Sequence, residues 1–252
     1  MAEKLRIDKL LAHMGYGTRS EIKKAVKQGK VTVDGKAVKD SGLIVDPAVQ
    51  TVAYEGETVV YRDVIYLMLN KPAGVISATE DGRDRTVIDL LEPEDRLLNP
   101  FPVGRLDKDT VGLLLLTNDG QLAHELLSPR KHVDKTYEAW VLGDVGDADA
   151  SAFRSGVELD DGYVTMPADL AVLEKRQADE AEGMKSLIRL TIREGKFHQV
   201  KRMFEAVGKK VLTLKRISMG PLTLDEQLAQ GEYRELTEEE VELLRAHRGK
   251  ER

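Results

Sequence analysis

Cysteine is absent from the 252 residues, which excludes disulfides and thiolate metal sites and suits a reducing compartment. Histidine is scarce: His13, His124, His132, His198 and His247 form no cluster with metal-ligand spacing. His124-Glu125 lacks a second histidine four positions after the first, so no zinc-protease helix is present. Glycine fingerprints fail as well. Gly15 to Ser20 has no preceding strand, and Gly29 to Lys36 has the wrong spacing for a phosphate-binding loop. No apolar run approaches the ~20 residues of a membrane span. Met1-Ala2-Glu3-Lys4-Leu5-Arg6 lacks the apolar core of a secretory signal. Internal repeats and low-complexity tracts are missing too. The expectation is a soluble cytoplasmic monomer with no metal, no nucleotide cofactor and no membrane partner.

What is present suits a folded globular protein. Hydrophobic residues make up 41% and charged residues 33%, enough apolar surface for one large domain or two smaller ones. The net charge of −6 argues against a nucleic-acid partner until its distribution is examined. Residues 1–39 carry ten Lys/Arg against four acids, and residues 196–216 carry seven against Glu205 alone. Two basic islands on an acidic body suggest a polyanion held along a defined track, solvated lysine faces being the plainer alternative.

The first ~60 residues read as a unit of their own. Leu5, Leu10, Leu11 and Met14 give a short helix its apolar side. Thr18-Arg19-Ser20-Glu21 matches a capping box, and the helix it opens puts Ile22, Ala25 and Val26 on one face. Gly29 supplies a stop. Val31-Thr32-Val33 and Lys36-Ala37-Val38 then alternate around Asp34-Gly35, a strong hairpin signal. This order, carried by Arg6-Ile7-Asp8-Lys9-Leu10-Leu11, Gly15 to Glu21 and Gly29 to Gly35, resembles the S4 RNA-binding domain. The resemblance implies that Arg6, Lys9, Arg19, Lys23, Lys24, Lys27 and Lys30 grip an RNA backbone, contacts that position the protein without reading sequence.

A second unit is expected over 61–240, with 241–252 as a tail. Val64 to Leu69 reads as a buried strand ended by Asn70-Lys71-Pro72-Ala73-Gly74. Thr86 to Leu91 and Gln121 to Leu127 read as helices, Lys135 to Leu142 and Leu187 to Arg193 as strands, Val200 to Val207 as a helix, and Arg176 to Met184 as a loop. Strands outnumber helices without regular alternation. The predicted class is therefore α+β, with a mixed, largely antiparallel sheet.

The densest signal is Gly104-Arg105-Leu106-Asp107-Lys108-Asp109-Thr110-Val111-Gly112, which runs into Leu113 to Leu116 and a turn at Asn118-Asp119-Gly120. Asp107 stands at the mouth of a core strand with Arg105 two residues away, near enough to favour its ionised form. Structural ion pairs take the same form, so the pattern alone leaves both readings open.

The string G-R-L-D-x-D-T-x-G-L-L-L-L-T-N-D-G is similar to the active-site motif of pseudouridine synthases, in the RsuA branch. N-K-P-x-G resembles that family's first catalytic-domain motif. Lys135-Thr136-Tyr137 and Glu194-Gly195-Lys196-Phe197-His198-Gln199-Val200-Lys201-Arg202-Met203-Phe204 resemble two later ones, and together these matches run from about residue 4 to residue 240. The resemblance implies that Asp107 is the catalytic carboxylate, as nucleophile or as base at the ribose. Tyr137 would stack on a flipped base, Arg105 and Lys201 would supply positive charge, and Lys196 is the runner-up for the lysine that pairs with Asp107. Lys196 and Arg202 would add RNA contacts. The implied substrate is rRNA, 16S foremost, free or in a partly assembled small subunit. A large-subunit 23S rRNA synthase and a non-catalytic S4-type assembly factor are the alternatives.

Overall fold

The computed structural model describes residues 4–177 and 183–248. It forms two compact units, Met1–Ile65 with Glu92–Pro100, and Tyr66–Leu91 with Phe101–Arg252.

In the first unit, Leu5–Arg6 (β1) runs into the helix Ile7–His13 (α1), and a glycine turn leads to Arg19–Lys27 (α2). Thr18 Oγ1 accepts from the Glu21 amide, and a Glu21 carboxylate oxygen accepts from the Thr18 amide at 2.7 Å, closing the expected capping box. Leu10, Leu11, Ile22, Ala25 and Val26 are buried together, leaving the lysines of α2 outside. Val31–Val33 (β2) and Lys36–Ala37 (β3) turn about Asp34 and Gly35, whose φ values of +50° and +76° are the pair a type I′ hairpin requires. Ile44–Val45 (β4) pairs with β1, while Val52–Tyr54 (β5) pairs with β2 and with Glu57–Thr58 (β6). The segment Glu92–Pro100, expected within the catalytic unit, groups here instead: Asp95, in the short helix Pro93–Arg96 (α3), meets Arg62 at 3.3 Å.

The second unit is built on one nine-stranded sheet. Its strands are Tyr66–Lys71 (β7), Phe101–Pro102 (β8), Val111–Thr117 (β9), Lys135–Leu142 (β10), Asp169–Gln177 (β11), Met184–Ile192 (β12), Lys210–Met219 (β13), Leu222–Thr223 (β14) and Tyr233–Glu235 (β15). The order is β11-β12-β10-β13-β9-β7-β15, with β8 added to β9 and β14 to β13. Every pairing among these strands is antiparallel except that of β13 with β9. This is the expected α+β class.

The apolar run of β9 has a simple cause. Leu113 to Leu116 are all at most 1% exposed, because the sheet centre is covered on both faces. On one face Leu113 and Leu115 join Leu122 and Leu126 of Gly120–Leu127 (α4) and Leu244 of Glu238–Arg248 (α7). Elsewhere Phe153 of Asp147–Ser155 (α5) packs edge-on against Phe204 of Gln199–Ala206 (α6), ring centroids 5.0 Å apart.

Three further expectations change. The tail from 241 is instead the second half of α7, whose Leu244 is fully buried; residues 249–252 lie outside the described residues. Arg176, Gln177 and Met184, read as loop, belong to β11 and β12, while 178–182 lie outside the described residues. Thr86 to Leu91 shortens to a 3₁₀ turn at Ile88–Leu90.

Candidate active site

The loop between β8 and β9 carries Asp107, and a buried lysine holds its backbone. Lys71, at the end of β7, is fully buried, yet its ammonium donates to the carbonyls of Asp107 at 3.0 Å, Thr110 at 2.9 Å and Pro72 at 3.1 Å. Burial pushes its pKa down to about 8, with Asp109 and Asp107 opposing. Ser77 clamps the same loop from another side, since its hydroxyl donates to Leu106 O and accepts from Leu106 N, both at 3.0 Å. The Gly74 amide donates to Lys108 O at 2.8 Å. The segment following β7 is therefore the mould in which the Asp107 loop sits. The N-K-P-x-G string stands out as a motif, but its local pattern does not show what Lys71 and Ser77 hold. A cation closing an apolar strand was the available signal, because a buried ammonium must find acceptors.

Lys201 enters from the first turn of α6. Its ammonium lies 3.1 Å from Asp107 Oδ2 and 2.7 Å from Asp109 Oδ1, with Asp107 still 27% exposed. Burial works against the Lys201 charge, but hydrogen bonds to Asp109 and Asp107 outweigh it and hold the pKa above the ordinary lysine value. The hydrogen bond from Lys201 lowers the pKa of Asp109. His198 adds its Nε2 at 3.6 Å from Asp107 Oδ1. Lys201 rather than Lys196 thus meets Asp107. Asp109, two residues on, shares the cation.

The start of α6 is itself pinned. Glu194 is buried and accepts from Tyr163 Oη at 2.6 Å, Met166 N at 2.9 Å and Gln199 Nε2 at 2.6 Å. Gln199 Oε1 accepts from Lys196 N at 2.9 Å, and Lys196 extends its ammonium over the Tyr163 ring, 4.3 Å from the centroid.

Tyr137 is 7% exposed on β10, opposite Arg216 of β13, which in turn pairs with Gly112 of β9. Two strand spacings of about 4.8 Å therefore separate Tyr137 from the strand that the Asp107 loop enters. Gly112 sits at φ +100°, and a Cβ there would lie 2.3 Å from Arg216 O, so this strand crossing requires glycine. Arg105 departs from expectation. It is exposed and makes no ion pair with Asp107, because Leu106 between them turns inward and Lys201 takes the place beside the carboxylate.

The two basic islands fare differently. Lys9, Arg19, Lys23, Lys24 and Lys27 are exposed and make no ion pair among the described residues, whereas Arg6 is held by Asp8 and Lys30 by Glu55. The second island is largely spent within the fold. Arg202 pairs with Asp160 and Asp161, Lys209 with Asp149 and Lys201 with Asp107, while Arg216 is 2% exposed and donates to Leu113 O at 2.8 Å. Arg202 and Arg216 are thus not free cations facing a polyanion. Acidic partners contributed by distant segments were invisible to a local charge count. Among the described residues no cluster of three His, Cys, Asp or Glu could hold a metal ion, and no helix is long and apolar enough to cross a membrane.

A carboxylate beside Lys201, on a loop clamped by Lys71 and set on a mixed sheet, is found here in a chain that comparison with known proteins places in a class of RNA-modifying enzymes. The chain belongs to the RNA pseudouridylate synthase family, which it matches over residues 65–206, and it carries an S4 domain matched over residues 5–50. It is 56% identical over 240 residues to an uncharacterized RNA pseudouridine synthase, YtzG, of Bacillus subtilis, covering 95% of this chain and 98% of that one. It is 41% identical to the ribosomal small subunit pseudouridine synthase A of Vibrio cholerae over 238 residues, covering 94% and 98%. The Escherichia coli protein of that name is likewise 41% identical over 239 residues, with the same coverage. A crystal structure of a pseudouridylate synthase superposes with a TM-score of 0.64 at 36% identity, covering 95% of this chain and 99% of that one.

Proposed function

We propose that this enzyme isomerises a uridine of small-subunit 16S rRNA to pseudouridine in the cytoplasm, acting as a monomer on free rRNA or on a partly assembled subunit. The observation that carries the reading is the Asp107 carboxylate held 3.1 Å from the Lys201 ammonium on a loop fixed by Lys71. The 41% identity to relatives named for the small ribosomal subunit supports the choice of substrate.

The reaction breaks the bond from uracil N1 to ribose C1′ and makes one from C5 to C1′. The proton leaving C5 is balanced by one gained at N1, so neither oxidant nor energy source is consumed. Asp107 serves as nucleophile at C1′ or as base at the ribose; both roles need an ionised carboxylate, and the Lys201 ammonium lies 3.1 Å from it. Tyr137 supplies an apolar face for the flipped uracil, replacing stacking lost from the RNA. Arg105, exposed at the loop, is free to meet the RNA backbone. Lys9, Arg19, Lys23, Lys24 and Lys27 supply phosphate contacts whose free energy helps offset the cost of flipping, a few kcal/mol.

The test is to incubate the purified protein with 16S and 23S rRNA transcripts and map the pseudouridines formed. A single modified position in 16S is expected. Modification of 23S alone would reassign the substrate, and none in either transcript or in 16S rRNA partly assembled with small-subunit proteins, with binding intact, would favour the assembly-factor reading.

A further inference from the structure

Phe197 is 75% exposed in a chain whose aromatic residues make up only 5% of the sequence. Its ring stacks on His198, centroids 3.7 Å apart and planes 21° from parallel. His198 takes φ +49°, a left-handed backbone that costs energy in a residue other than glycine. That conformation sets the imidazole beside the site, with Nε2 3.6 Å from Asp107 Oδ1. The backbone beneath is fixed. Arg202 donates to Phe197 O at 3.3 Å, Gln199 ties Lys196 N to Glu194, and Arg202 N donates to His198 O at 3.0 Å. An exposed apolar ring on a pinned segment, backed by a second ring that reaches the catalytic carboxylate, is a prepared flat surface.

The partner of such a surface is planar and aromatic. When a uridine leaves its stack, the neighbouring base loses a stacking partner, and an aromatic side chain replaces it. We propose that Phe197, supported by His198, is the stacking platform for the nucleobase adjacent to the flipped uridine. The proposal rests on the reading of the protein as a uridine isomerase. Phe197 is thus a positioning residue: it holds the RNA register that delivers the target to Asp107 and takes no part in bond making.

The full-length protein is compared with Phe197→Ala, Phe197→Leu and Phe197→Trp. Single-turnover rates are measured against 16S rRNA concentration. Binding is also followed by the fluorescence of 2-aminopurine placed next to a uridine in a short single-stranded RNA, in an Asp107→Asn background where no turnover intervenes. Because the ring is exposed, all variants should melt like the parent. Loss of one base stack should raise the RNA concentration for half-maximal rate on the order of 10- to 100-fold in the Ala and Leu variants, with a smaller fall in the saturated rate. The Phe197→Trp variant should retain near-parental behaviour. The 2-aminopurine signal should be quenched by proteins with an aromatic ring at position 197 and not by the Ala or Leu variants. Rates within twofold of the parent for Ala and Leu, or quenching independent of the ring, would overturn the platform. Failure of the parent protein itself to form pseudouridine would instead overturn the functional reading, and the fluorescence comparison would still judge the platform.

Discussion

The ammonium of Lys71 donates to the backbone carbonyl of Asp107 at 3.0 Å, across 36 residues of sequence. A side chain at the end of one strand thereby fixes the loop that precedes the next. Lys71→Met leaves the carbonyls of Asp107, Thr110 and Pro72 without that donor and should destabilise the second unit by about 2 kcal/mol or more. The pH dependence is a sharper check. Burial lowers the folded-state pKa of Lys71 from 10.5 to about 8, so between those values the unfolded chain binds more protons. The contribution of Lys71 to stability should therefore be flat below about pH 8 and increase through that window. Denaturant melts of wild type and Lys71→Met across that range should diverge in favour of wild type as pH rises. Convergence would contradict the assignment.

Lys201 and Lys196 are separated by their partners. Lys201→Met strips the shared cation from Asp107 and Asp109, and single-turnover rates should fall by about a hundredfold or more while RNA affinity stays near wild type. Lys196→Met removes only a ring contact with Tyr163 and should leave the saturated rate within about threefold. The reverse ranking would show that the ion pair with Asp107 is structural.

Neutralising Lys23, Lys24 and Lys27 together should weaken RNA binding and flatten its salt dependence, each lost phosphate contact reducing the slope by roughly 0.7–0.9. The saturated rate should hardly change. An unchanged slope would mean that these lysines face only solvent.

Two glycines contrast positive φ with and without crowding. Gly112→Ala places a Cβ 2.3 Å from Arg216 O at φ +100°, whereas the same change at Gly29, φ +74°, meets nothing within 4 Å. Gly112→Ala should cost at least about 2 kcal/mol through forced backbone movement, and Gly29→Ala about 1 kcal/mol. Thermal melts of the two variants would rank them directly.

Local chemistry was legible in the sequence where it is self-contained. The Thr18–Glu21 capping box and the Asp34-Gly35 turn need only near neighbours, and the apolar run of β9 announces its own burial. The pairing of Lys201 with Asp107 was reachable through the motif resemblance, which implied a basic residue beside that carboxylate and placed it at Lys201. Partnerships closed by tertiary structure were not legible. Arg202 meets Asp160 and Asp161 from a segment 41 or 42 residues earlier, and Arg216 is buried against β9, so a basic island in sequence is largely taken up by contacts within the fold. Lys71 and Ser77 act through backbone atoms of a distant loop, which no side-chain pattern encodes. Arg105 misled for the opposite reason: nearness in sequence to Asp107 did not place its side chain there.

The most direct measurement compares wild type with Asp107→Asn on 16S rRNA, with pseudouridine formation followed in a single turnover and RNA affinity measured separately. Asparagine keeps the shape of the side chain and removes its charge, so folding and RNA affinity should persist. The account expects the rate to fall by more than about a thousandfold, given what such groups contribute to catalysis. An Asp107→Asn enzyme that forms pseudouridine at a rate near wild type would contradict it.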